Sequence, residues 1–361
     1  MAGAPEGRAG LSVRAKWLLS LALVSLVALS VHRLRQAEPG ADNQPAVFEL
    51  SGASMGTRYH AKVVRRTADG RALSRAAVQE ALERALDSVD RAMSTYRPDS
   101  ELSRFNTARS TDPIALSIPL REVFRVALEV GQASGGALDV TIAPLVEAWG
   151  FGPDAGSESA PEDLSVIKRR IGLDKLQLTK AGLKKAHPLL RCDLSAVAKG
   201  YAVDLAAAEL RALGAQSFLV EVGGELYAEG SRPGGEGWRV GIERPSDGDP
   251  AIDKVVVLRD QGMATSGDYR NFRMENGLRN SHLLDPRTGS PVRHGLASVT
   301  VVHRRVAVAD AWATALSVLG PNEGMRLAES QGLAAQLVER MTEGGFSTKL
   351  TKAFRARYGA P

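Results

Sequence analysis

In Asp310-Ala-Trp-Ala-Thr314 the helical repeat puts a carboxylate and a hydroxyl on one face, two hard oxygen donors suited to Mg²⁺. The same residues have simpler uses, because an Asp early in a helix caps it and a helical Thr bonds its own backbone. In Asp193-Leu-Ser-Ala-Val-Ala-Lys-Gly-Tyr201, Asp193 and Ser195 sit at a helix start, with Lys199 and Gly200 about a turn later. A helix N-terminus with a lysine nearby and a glycine that permits close approach makes a phosphate or nucleotide cradle. A capped helix carrying one solvated lysine is the structural alternative.

Gly262-Met-Ala-Thr-Ser-Gly-Asp-Tyr269 offers two hydroxyls, those of Thr265 and Ser266, and an Asp after a strand. Ser281-His-Leu-Leu-Asp-Pro-Arg-Thr-Gly289 follows. Its Asp-Pro-x-x-Gly portion is turn chemistry, while His282, one of six histidines, is a candidate proton acceptor. Gly135-Gly136-Ala-Leu-Asp139 and Met93-Ser-Thr-Tyr-Arg-Pro-Asp-Ser-Glu-Leu-Ser103 each put polar groups beside backbone that a planar ligand can approach. Tyr96 could stack on a ring system, although a half-buried tyrosine is the default.

The elements that must hold these residues are legible from periodicity. Val47 to Val64 reads as two short strands around Gly52 to Gly56. Val78, Leu82, Leu86, Val89 and Met93 recur at helical spacing after Ser74, an N-cap. Pro119 opens a helix that ends at Ser134-Gly135-Gly136, and Asp193 to Leu213 is an alanine-rich helix. Strands are expected over Phe218 to Ile242, broken by two glycine-rich turns, and at Val255–Leu258, Gly262–Thr265 and Val299–Val302. Helices return at Val308–Leu319 and Asn322–Gln331. Without a regular βαβ alternation or a G-x-G-x-x-G after a strand, the pattern predicts an α+β fold with mixed, largely antiparallel sheets and packed helices.

The 361 residues are 44% hydrophobic and 24% charged, enough for a substantial core. The formal charge of +5 falls mostly on residues 1–36, where Arg8, Arg14, Lys16, Arg33 and Arg35 face only Glu6. No nucleic-acid surface is indicated. Trp17 to Val31 is uncharged and apolar behind Arg14 and Lys16, the layout of a signal peptide or signal anchor over 1–36, with 37–46 as a linker. The chain is therefore expected to be exported, either periplasmic or anchored to the inner membrane facing the periplasm. Its single cysteine, Cys192, allows neither an internal disulfide nor N-terminal lipidation. Residues 47–345 read as the catalytic domain, 150–163 as a surface excursion within it, and 346–361 as a basic tail.

Taken in order, Ser54-Met-Gly-Thr57, Ser94 to Ser103, Gly136-Ala-Leu-Asp139, Asp193 to Tyr201, Val222-Gly-Gly-Glu225, Thr265-Ser-Gly-Asp-Tyr269, His282-Leu-Leu-Asp-Pro286 and Asp310 to Ala315 resemble the ApbE family of FAD:protein FMN transferases. The match runs from about Phe48 to Leu319. The resemblance implies a tandem, T-fold-like domain that uses FAD as substrate, needs Mg²⁺, and attaches FMN to a Ser or Thr of an exported or membrane redox protein. It implies an FAD site built from Met55, Tyr96, Ala137, Leu138, Asp139, Asp193, Lys199, Thr265 and Leu284, and a Mg²⁺ site from Asp310, Thr314 and the Ala196 carbonyl.

On that reading the acceptor hydroxyl attacks the FMN phosphorus, AMP leaves, Lys199 offsets phosphate charge, and His282 takes the acceptor's proton. Two departures stand out: no cysteine follows the hydrophobic segment, and Leu138 replaces a frequent Phe. A Mg²⁺-dependent FAD pyrophosphatase, or a flavin carrier without chemistry, would share most of these features.

Overall fold

In the computed structural model, which describes residues 47–67, 69–152, 163–245, 251–267, 272–275 and 278–359, the fold begins with a two-residue hairpin. Strands β1 (Val47–Ser54) and β2 (Thr57–Val64) pair antiparallel, and Met55 and Gly56 at the turn take φ of 52° and 71°. Positive φ at both central residues matches the twist of the flanking strands. Helix α1 (Arg75–Met93) starts where Ser74 accepts the Ala77 N–H, and all five of its predicted apolar positions are buried. The short helix α2 (Glu101–Thr107), absent from the sequence reading, is capped by Ser100. Helix α3 (Ile118–Ala133) has Ser117 as its cap and Pro119 in its first turn.

Next come α4 (Ala143–Ala148), α5 (Leu164–Arg170), the small hairpin β3 (Leu176–Leu178) and β4 (Leu183–Lys185), and the long helix α6 (Ser195–Ala212). Strands β5 (Phe218–Val222), β6 (Glu225–Glu229), β7 (Trp238–Arg244), β8 (Ala251–Leu258) and β9 (Gln261–Gly267) follow. Short pairs β10 (Phe272–Glu275) with β11 (Leu278–Ser281), and β12 (Leu284–Asp285) with β13 (Ser290–Pro291), lead into β14 (Leu296–His303) and α7 (Val306–Ser330). Within α7, Gly320 has φ of 79° ahead of Pro321, which breaks the helix where the sequence predicts two. The chain ends with β15 (Ala334–Arg340), β16 (Phe346–Leu350) and α8 (Lys352–Tyr358).

The main sheet runs β1-β2-β5-β6-β9-β14-β15-β16, with each neighbouring pair antiparallel. The chain therefore has an α+β fold with a large antiparallel sheet. Strand alternation sends Val299, Val301, Ala264 and Leu337 to one face, packed under α1, α3, α6 and α7. Val302, Met263 and Ala334 point to the other face, covered by the β7–β8 hairpin and by Phe354 of α8. Burial on both faces fits β14, whose apolar residues are broken only by the small hydroxyls of Ser298 and Thr300 before His303.

One expectation is corrected. Residues 346–361 are not a tail: β16 pairs with β15, Thr351 caps α8, and Phe354 is fully buried. Scattered lysines and arginines mask Leu350 and Phe354, the apolar residues of this segment that dock. The export segment and linker over 1–46, and most of the 150–163 excursion, lie outside the described residues. Among the described residues no helix is long and apolar enough to cross a membrane.

Candidate active site

Helices α6 and α7 cross at Gly200. A Cβ there would lie 2.5 Å from the Val306 carbonyl oxygen, so only glycine permits the approach. Three hydrogen bonds lock the crossing. The Asp204 carboxylate accepts the Val306 N–H at 2.8 Å and the Ala307 N–H at 3.0 Å, capping α7 from the neighbouring helix, since Arg305 supplies no cap of its own. One turn on along α7 and one turn back along α6, Asp310 Oδ2 accepts the Gly200 N–H at 3.0 Å. The regular helical partner of that N–H is the Ala196 carbonyl, which now shares its donor with a carboxylate.

Beside this crossing opens a cavity of about 590 Å³. Of the residues singled out from the sequence, Ala137, Leu138, Asp139 and Asp193 line one side. Ala196, Lys199, Asp310 and Thr314 line the helical floor, and Thr265, His282 and Leu284 complete the wall. Met55 and Tyr96 are not part of it. Met55 packs half-buried on the core beside the first hairpin, and Tyr96 is 73% exposed after α1, so the half-buried expectation for Tyr96 is also corrected. Asp268 and Tyr269 lie outside the described residues.

Local chemistry explains the positions. Ser134 Oγ accepts the Leu138 N–H at 3.2 Å, folding the Gly135-Gly136 turn, and the Asp193 N–H reaches the Val140 carbonyl at 2.8 Å, which joins two wall segments. Asp139 accepts both the backbone N–H and the hydroxyl of Thr141, yet burial still pushes its carboxyl above the usual range. Asp193 receives the Ser195 N–H at 2.8 Å at the start of α6. Thr265 pairs with the buried Thr300 hydroxyl at 2.9 Å. The Asp285 carbonyl accepts the Gly289 N–H at 2.7 Å, the turn expected from Asp-Pro-x-x-Gly.

The electrostatic centre is a trio. Lys199 Nζ lies 2.6 Å from Glu225 Oε2, and Asp310 lines the same cavity. Burial pushes the Glu225 carboxyl up to about 8, with Lys199 opposing and Asp310 adding to the rise. Asp310 is raised for the same reason, against Lys199 and the Gly200 bond. Burial alone would lower Lys199, but Asp310 and Glu225 together outweigh it and hold its ammonium charged. Two buried carboxyl groups thus share one ammonium, and without a second positive charge burial drives both toward their protonated forms.

That imbalance, with the Asp310 carboxyl and the Thr314 hydroxyl lining the cavity beside Ala196, suits a hard divalent cation. The donor types differ from a His/Cys/Asp/Glu cluster, and no group of three such side chains that could hold a metal occurs among the described residues. Sequence reasoning gave Glu225 no role, although an acid following Gly-Gly at the head of an apolar strand marks it. It missed Asp204 as well.

The profile of the ApbE family matches residues 55–337. A Haemophilus influenzae protein described as an FAD:protein FMN transferase is 42% identical over 318 residues, covering 86% of this chain and 91% of the relative. A Vibrio cholerae relative with the same description is 37% identical, covering 94% and 98%. Among solved structures, the flavin transferase ApbE from Vibrio cholerae superposes with a TM-score of 0.79 at 36% identity, covering 86% of this chain and 99% of that one. The apo flavinyl transferase ApbE from Pseudomonas stutzeri gives 0.80 at 40% identity, covering 87% and 98%.

Proposed function

The chain belongs to the ApbE family, and from that premise we propose that it is an FAD:protein FMN transferase that moves FMN from FAD to a Ser or Thr hydroxyl of an acceptor protein. The observation that carries this reading is the cavity itself, where Lys199 and Asp310 meet the Ala137–Asp139 and Asp193 walls. In the balanced reaction the acceptor oxygen forms a bond to the FMN phosphorus, the pyrophosphate bond breaks, and AMP leaves with the electron pair. The acceptor's proton passes to a base.

Asp310, Thr314 and the Ala196 carbonyl would hold Mg²⁺, which supplies charge neutralisation on the phosphate oxygens. Lys199 orients the anionic pyrophosphate from the helical floor, and His282, which lines the same cavity, takes the acceptor's proton. Leu138 and Leu284 give the flavin apolar contacts and exclude water. Met55 and Tyr96, outside the cavity wall, would serve the flavin only through a rearrangement on binding. We read the architecture as the tandem T-fold-like domain, and Trp17 to Val31 as the segment that exports the chain or anchors it facing the periplasm, where a redox protein is the acceptor.

The test is AMP release from FAD by the purified chain, with Mg²⁺ or EDTA, and with or without an acceptor domain. Release that needs Mg²⁺ and acceptor, with the acceptor gaining the mass of FMN, supports transfer. AMP and free FMN without acceptor would replace it by a pyrophosphatase, and FAD binding without release by a flavin carrier.

A further inference from the structure

Lys199 has two anions within reach and pairs with one. Its Nζ contacts Glu225 at 2.6 Å, while Asp310, whose charge also acts on it, forms no ion pair with it. The choice is not imposed by distance along the backbone: Gly200, the next residue, is bonded to Asp310 directly. A four-carbon stem starting one peptide away can swing to either carboxylate.

The surrounding structure fixes the outcome. Glu225 is 2% exposed and opens β6 immediately after Gly223 and Gly224, whose φ of 59° and 107° set the strand's entry. The lysine stem lies along this turn, since a Cβ at Gly223 would sit 3.4 Å from Lys199 Cδ. The Gly-Gly turn thus makes both the channel for the stem and the mount for its counter-ion.

We propose that Glu225 is a positioning residue that holds the Lys199 ammonium away from Asp310 and so keeps the Asp310 carboxylate open to a divalent cation. The inference rests on the reading of Asp310 as a cation ligand. Without Glu225, Asp310 becomes the nearest buried anion for Lys199, and an ammonium seated there repels an incoming cation at close range. Glu225 itself need not touch the metal.

The experiment measures Mn²⁺ binding to the full chain by electron paramagnetic resonance, with FAD present, for wild type, Glu225→Gln, Glu225→Asp, Lys199→Met, and the Glu225→Gln/Lys199→Met pair. Glu225→Gln should weaken Mn²⁺ by roughly 10-fold or more, as loss of a residue supporting a metal ligand does. Removing Lys199 in that background should restore affinity to that of Lys199→Met alone, and Glu225→Asp should stay close to wild type.

Unchanged Mn²⁺ affinity in Glu225→Gln overturns the proposal, as does weakening that Lys199→Met fails to reverse. If Glu225→Gln does not fold, a Glu225→Met/Lys199→Met pair that binds Mn²⁺ far more weakly than Lys199→Met overturns it too. Asp310→Asn is the control: wild-type Mn²⁺ binding that survives in it sinks the ligand assignment beneath the proposal. Intact Asp310-dependent binding without FMN transfer would instead sink only the transferase reading.

Discussion

Asp310 Oδ2 receives the Gly200 N–H at 3.0 Å, so the carboxylate lining the cavity also ties α7 to α6. Removing it has two effects that substitution chemistry separates. Asp310→Asn keeps an acceptor for Gly200 and loses the charge; Asp310→Ala loses both. Both variants should lose Mg²⁺-dependent AMP release by about 100-fold or more. Only Asp310→Ala should also lose about 1 kcal/mol in urea denaturation, the net contribution of the hydrogen bond to Gly200, whose N–H keeps its helical partner.

Thr314 lies one turn beyond Asp310 and lines the same cavity. Thr314→Val preserves shape and removes the hydroxyl, whereas Thr314→Ser preserves the hydroxyl. The Mg²⁺ concentration giving half-maximal AMP release should rise on the order of 10-fold in the valine variant and little in the serine variant.

Gly200→Ala tests the helix crossing. The added methyl would meet the Val306 carbonyl carbon at 2.7 Å and its oxygen at 2.5 Å, both backbone atoms that cannot turn aside. Overpacking of this kind costs about 1–3 kcal/mol or more. Because the helices must part to relieve it, Mg²⁺ dependence should weaken as well as stability, read by urea denaturation and by Mg²⁺ titration of AMP release.

Burial pushes Asp204 up to about 6, in spite of its bonds to Val306 and Ala307 and the nearby Arg305 and Arg211. The folded value stands above the ordinary one of 3.8, so the folded state binds this proton more tightly than the unfolded chain. The stabilising contribution is full below pH of about 3.8 and is lost as pH rises through about 6. Asp204→Asn lacks this titration. The melting temperature of Asp204→Asn relative to wild type should therefore climb between pH 4 and 7, by on the order of a few degrees, over a constant offset for the one weakened cap bond. A flat difference across that window would refute the assignment.

Much of this arrangement was legible in the sequence because local rules governed it. The Ser74 cap, the Val78 to Met93 stripe, the Gly-rich turns and the Asp310/Thr314 spacing all depend on residues within a few positions of one another. The cavity residues from Ala137 to Thr314 were recognised as ordered motifs, and the structure brings most of them to one wall system. What escaped were pairings between distant segments. Asp204 caps a helix that begins at Val306, and Glu225 reaches Lys199 across a strand and a helix. Neither follows any periodicity. Tyr96 failed for the opposite reason, since a motif position carries no information on which way its side chain is exposed.

The sheet's last pairing has a consequence for how the protein is made. Until β16 and α8 emerge from the ribosome, β15 is an unpaired edge, and Ala334 on the face away from the main helices lacks Leu350 and Phe354 as cover. Such an edge templates strand addition by other chains. Strand β16 and helix α8 therefore act as the protein's own protection against self-association during synthesis, and premature termination before Phe346 should yield aggregates rather than a slightly shortened enzyme.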